Sequence, residues 1–488
     1  MANQNPFKPV DYQSANAAAV NDPYRRTAEG VREPPSDLLG KLKYIGPGFI
    51  LSASIVGSGE LIATTIVGAE AGFILMWFII FSCLVKVAVQ LEFGKHAISS
   101  GESTMASFND LPGPQLGKAN WSIWTWLLLM VAKMMQVGGI VGGVVVALAY
   151  FFPDVIDGEG KLTGWGISAG YMVAASVALL IFQGYYQLIE KASLVMIGAF
   201  TLFTMASLLA LQGTDYAITA SNVVAGITPT LPDAALLIVA IGAFGITGVG
   251  GDEIMAYNYW LIEKGYASYT GPRDESEAWA NRAKGWIKIM YWDALLSMLA
   301  YTVMTVMFYL LGAAVLNRMG VVPEDNQLIS VLGNMYTETL GPWARTVFVI
   351  GAIVVLYSTL MAALAAWSRM FADAFGRIGL YDFQDTASRK MAIASLAWLI
   401  PFGWATLYAF IQLPGQMVIL GGLSTVFILL IVVFASLYFR YQCLDPRLRS
   451  GVAYDVCLWI SSIAIFLVAI YLLYGKVIVP VFFPESGS

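Results

Sequence analysis

Eleven apolar runs follow one another along the chain, separated by short polar segments. They fall at about residues 45–71, 73–94, 121–151, 165–183, 190–211, 232–262, 286–316, 343–369, 391–410, 413–439 and 452–475. Most are near or above the length of apolar helix, about 20 residues, that crosses the hydrocarbon of a bilayer. Two runs are interrupted. The first contains Val56–Thr65, VGSGELIATT, and the sixth contains Thr247–Glu253, TGVGGDE. Both breaks are rich in glycine, and both end in a carboxylate that opens the next helical half. With eleven spans, the first and sixth run in opposite directions. Two five-helix units, each beginning with a broken helix, form the sequence pattern of an inverted-repeat transporter. The pattern predicts an all-α polytopic membrane protein with a 5+5 inverted repeat and broken helices 1 and 6. Residues 44–211 would be the first repeat, residues 232–439 the second, and residues 452–475 an added eleventh helix.

Composition supports this class. The 488 residues are 58% hydrophobic and only 12% charged, against about a quarter charged in soluble domains. With the N-terminus placed in the cytoplasm, 21 of the 27 Lys and Arg face that side. Four lie outside (Lys161, Arg318, Arg345, Lys476), and Lys86 and Lys133 lie within helices. The asymmetry predicts a cytoplasmic N-terminus and an external C-terminus, with a bacterial inner (plasma) membrane as the expected setting. Residues 1–43 are polar, with Pro, Asn and Arg, and are expected to be a disordered cytoplasmic tail. The net charge of −5 comes without a basic patch, so no nucleic-acid partner is expected. Cys83, Cys443 and Cys457 are scattered, and His96 is the only histidine. Neither a disulfide framework nor a zinc site is expected. No nucleophile–base pair or nucleotide motif suggests an enzyme, and no cofactor is implied. The expected partners are the bilayer, a small inorganic ion and a coupling ion, proton or sodium, with the chain acting as a monomer.

The breaks carry the candidate chemistry. Backbone that leaves a helix at membrane depth must face protein or a water-filled cavity. It exposes N–H groups at one half-helix and C=O groups at the other, each end carrying roughly half an elementary charge. The reading is therefore that backbone itself forms the site, at Gly57, Ser58, Gly59 and Glu60 and at Thr247, Gly248, Val249, Gly250 and Gly251. Glu60, Asp252, Glu253 and Lys133 are candidates for coupling or ion pairing. Two plainer accounts compete: glycine as close helix packing, and the acids as first-turn residues stabilised by the helix dipole. Lys86 is read as reaching toward the cytoplasm along its apolar stem. The mixed-charge loop 264–288 is read as a solvated helix.

One longer stretch, GPGFILSASIVGSGELIATTIVGAEAG, resembles the first helix of the Nramp family of proton-coupled metal-ion transporters. That helix has GPGF, seven residues, then DPGN. GKHAISSGEST similarly resembles the conserved turn after the family's second helix, and likeness in hydropathy and topology extends over about residues 40–440. The resemblance implies the LeuT-type fold. In register, the family's DPGN falls on Gly57, Ser58, Gly59 and Glu60, and its MPH motif on about Val249, Gly250 and Gly251. No Met or His stands between Ala243 and Ile254. The third helix has VAKMMQVGG, with Lys133 and Gln136, where the family carries proton-bearing acids. Soft and imidazole ligands are what select transition metals, so a selective transition-metal site is not expected.

Two substrates then compete. The favoured one is a small anion, bicarbonate, bound by helix N-termini with hydroxyls from Ser58 and Thr247. The alternative is a hard divalent cation, magnesium ahead of manganese, held by Glu60, Asp252 and Glu253.

Overall fold

The computed structural model describes residues 22–26, 30–182, 186–323 and 325–474. Helices lie over all eleven apolar runs, labelled α1 to α11 in chain order. α1 comprises Pro47–Ile55, a π-helical stretch Val56–Thr64, and Thr65–Ala71. α2 is Met76–Ser100, α3 Trp121–Ala149, α4 Gly164–Phe182 and α5 Tyr186–Ala210. α6 has two halves, Ala234–Ile246 and Gly251–Lys264. α7 is Glu277–Leu311, α8 Trp343–Ile378, α9 Thr386–Ile411, α10 Pro414–Tyr438 and α11 Val452–Leu472. Among the described residues nine helices are long and apolar enough to cross a bilayer, or ten with the bent α1. α5 contributes only a shorter apolar helix, Ile197–Gly213.

The break in α1 differs from its expectation. The chain bends by 41° there but does not unwind. Val56–Thr64 stays helical with a wider turn, the geometry of a π-bulge. No proline interrupts VGSGELIAT, so every residue keeps an N–H for the helical ladder. The glycines serve close approach instead. A Cβ on Gly57 would overlap Thr359 Oγ1 of α8, and one on Gly59 would meet the Ile246 carbonyl of α6. The side chain of Ser58 lies outside the described residues.

The GPGF motif at the start of α1 is held by α7. Asp293 accepts from Gly46 N at 2.8 Å, from Gly48 N at 2.6 Å and from the Tyr257 hydroxyl at 3.0 Å. These are the N–H groups a helix start leaves without partners. Hydrogen bonds to a charged group are each worth about 1.5–3 kcal/mol. Asp293→Ala is expected to lower stability by about 2–3 kcal/mol, read as a drop in the unfolding midpoint of the purified protein. An unchanged midpoint would mean that the clamp contributes nothing.

The tail also departs from expectation. Residues 1–21 and 27–29 lie outside the described residues, but 22–26 and the stretch about Arg32 make contacts with the helix ends, whereas the short helix Leu38–Leu42 is largely exposed. The Tyr24 hydroxyl donates to Glu263 at 2.7 Å, and Arg389 grips Asp22 at 2.8 Å. Trp286 Nε1 donates to the Arg32 carbonyl at 3.0 Å, and the Arg32 guanidinium lies 4.7 Å from the Tyr269 ring centroid. Its polar composition reads as disorder because its partners are distant in sequence. The loop 264–288 is shorter than expected, since α7 already begins at Glu277, capped by Ser276.

Candidate functional site

α6 breaks over Thr247–Gly250, between its two halves. Gly248 has φ +63°, a left-handed conformation that glycine adopts without a Cβ penalty. The freed backbone groups are taken by charged side chains of other helices. The Lys86 ammonium of α2 donates to the carbonyls of Phe244 at 2.6 Å and Thr247 at 2.5 Å. Glu60 of α1 accepts from Gly248 N at 3.2 Å and from the Thr305 hydroxyl of α7 at 2.8 Å. One peptide unit, Thr247–Gly248, is thus held on its C=O by a lysine and on its N–H by a glutamate. Both side chains are fully buried. Lys86 therefore caps a half-helix rather than reaching out of the membrane. Glu60 Oε2 has no hydrogen-bond partner among the described residues.

A separate small cavity of about 20 Å³ lies between α1, α3, α6 and α8. Its polar lining includes Ser54, Lys133, Gln136, Asp252, Glu253 and Thr359. Lys133 pairs with Asp252 Oδ1 at 2.8 Å and donates to the Thr425 hydroxyl of α10 at 2.7 Å. Trp367 Nε1 of α8 donates to Asp252 Oδ2 at 3.1 Å. The pair thereby ties four helices together. Glu253, one residue on, lies within hydrogen-bonding reach of Asp252, and its Oε2 has no partner among the described residues. That oxygen folds back against Gly250, where a Cβ would overlap it. Both acids sit in the first turn of the second half of α6, where the helix dipole favours negative charge.

The structure divides the residues singled out from sequence into two groups. Lys133, Asp252 and Glu253 share the cavity. Gly57, Gly59, Glu60, Thr247, Gly248, Val249, Gly250 and Gly251 do not line it. Of the backbone groups at the α6 break, Gly248 N is taken by Glu60 and the carbonyls of Phe244 and Thr247 by Lys86. Glu60 is thus separated from Asp252 and Glu253, and no group of three His, Cys, Asp or Glu side chains that could hold a metal forms among the described residues. Sequence reasoning missed Thr305, Thr425 and Trp367, whose hydroxyls and indole gave no distinguishing signal. It noticed Lys86 as an intramembrane charge, but not its partners.

These features define a polytopic membrane transporter built around one bent and one broken helix. A family model described as natural resistance-associated macrophage protein-like matches residues 48–475, and the chain belongs to the Nramp family. A relative, the uncharacterized protein PM0681 of Pasteurella multocida (strain Pm70), is 26% identical over 353 residues, 71% of this chain and 73% of its own. The manganese transporter of Eremococcus coleocola, in a solved mutant form, superposes with a TM-score of 0.61 at 14% identity, covering 94% of this chain and 91% of its own. MhsT in complex with L-phenylalanine gives 0.58 at 16% identity, covering 90% and 99%. The fold is the LeuT type.

Proposed function

We propose that this chain is a secondary transporter of a hard divalent cation of the magnesium or manganese kind, with proton exchange at the same cavity. One observation carries the reading. A single lysine, Lys133, pairs with Asp252 beside a second buried carboxyl group, Glu253, one oxygen of which has no partner among the described residues. Two buried carboxylates against one ammonium leave the site one positive charge short, and a buried uncompensated charge is costly. A cation or a proton restores the balance. The lining offers oxygen ligands without sulfur or imidazole, which suits magnesium, calcium and manganese. The manganese transporter of similar fold lends support to a metal-ion substrate. The bicarbonate reading loses one of its backbone donors, because the N–H of Gly248 is already given to Glu60. Lys133 is the one cavity residue that favours an anion. The expected setting remains a bacterial inner membrane, with a cytoplasmic N-terminus, repeats at 44–211 and 232–439, and a monomeric chain.

The test is uptake by purified protein in liposomes, comparing manganese, magnesium and labelled bicarbonate. Saturable divalent-cation uptake accompanied by proton movement is expected, with no bicarbonate flux. Bicarbonate uptake without metal uptake would overturn the reading and make Lys133 the substrate-binding residue.

A further inference from the structure

Several oxygens gather at the α6 break. The carbonyls of Phe244 and Thr247, the Thr247 hydroxyl and the Ser82 hydroxyl converge there, with Ser82 Oγ 2.7 Å from Thr247 Oγ1 and 3.2 Å from the Phe244 carbonyl. The end of a half-helix adds roughly half a negative charge. Carbonyls freed by unwinding, together with hydroxyls, are the ligand set that small cations use in hard-oxygen sites. The Lys86 ammonium sits on two of these oxygens, and it lies 4.9 Å from the Phe244 ring centroid, in cation–π range. An apolar stem delivers that ammonium from α2, and the whole side chain is buried.

We propose that the α6 break is a monovalent-cation site whose occupant is built into the chain, the ammonium of Lys86. The tethered cation neutralises the half-helix end and, across the Thr247–Gly248 peptide, balances Glu60. The protein therefore needs no free sodium to assemble its core. Removing the side chain would leave an oxygen-lined hole that a dissolved cation can enter. This inference concerns a place outside the transport cavity and does not depend on which ion that cavity carries.

Lys86→Ala tests it by thermal unfolding of the purified protein in choline, sodium, potassium and methylammonium chlorides at equal ionic strength. A ligand that binds only the folded state raises stability with its concentration. The unfolding temperature of Lys86→Ala should rise saturably with methylammonium or sodium, and that of the unsubstituted protein should not distinguish the salts. Uptake by Lys86→Ala, of whichever ion the unsubstituted protein carries, should be at least about tenfold lower in choline and recover with the same cation. Lys86→Met fills the stem's volume without charge and serves if Lys86→Ala does not fold. It should lose at least about tenfold in uptake with no recovery in any salt. Three results would overturn the proposal: unsubstituted protein that requires sodium, Lys86→Ala that folds but responds to no cation, or Lys86→Met that transports normally.

Discussion

Lys133→Met is expected to destabilise the protein by about 3–5 kcal/mol, the usual cost of removing one partner from a buried ion pair. Lys133 is 1% exposed and Asp252 is 3% exposed. Methionine keeps the length and most of the apolar contact of the lysine stem. It takes away the charge that faces Asp252 at 2.8 Å and leaves the Thr425 hydroxyl without its donor. The Asp252 carboxylate would then be buried beside Glu253 with no ammonium, keeping the Trp367 indole and the helix start. Adding Asp252→Asn should recover much of the loss, since the carboxamide oxygen still accepts from Trp367 and position 252 no longer carries an unpaired charge. The recovery is a coupling energy, measured by a double-mutant cycle on unfolding midpoints. Additive single effects would mean that the pair is not energetically real. Ion uptake should stay low in the double variant, because stability and the charge balance of the cavity are separate demands on the same residues.

The helices were legible because a bilayer-spanning helix must announce itself as a long apolar run. The α6 break was legible for a local reason. TGVGGDE combines a glycine that takes positive φ with two acids that start the next half. The α1 break was only half legible. VGSGE has the same glycine content, yet glycine permits an unwound backbone without requiring it. Without proline the ladder persists, and the small residues serve contact with α8 and α6 instead. The occupants of the α6 break were not legible at all. Lys86 and the Phe244 carbonyl are 158 residues apart, and no local pattern connects them. The contacts of residues 22–26 escaped for the same reason. Asp22 finds Arg389, 367 residues away, and a partner at that distance leaves no trace in composition. The acids and Lys133 were visible as rare intramembrane charges, but only packing sorted Glu60 from Asp252 and Glu253.

That sorting gives the second large effect. Glu253→Gln should abolish high-affinity divalent uptake and leave the fold intact. Its carboxyl is the one in the cavity without an ionic partner, so the change removes charge from the transport site and breaks no pair. At about 4 Å and an effective dielectric of about 20, one unit charge contributes about 4 kcal/mol to the attraction of a monovalent ion. Even a fraction of that attraction corresponds to a loss of at least about a hundredfold in affinity. Stability should hold or rise slightly, because the like-charged neighbour of Asp252 disappears. Glu60→Gln is the matched control. Its amide oxygen still accepts from Gly248 N and Thr305, and it lies outside the cavity lining. Its KM should stay within about threefold of the unsubstituted protein, as expected for a position with no shared ligand contact. The measurement is the concentration dependence of manganese and magnesium uptake for both variants in liposomes. Equal loss in both would put the substrate at the α6 break rather than in the cavity, and would return the backbone to the role the sequence first suggested for it.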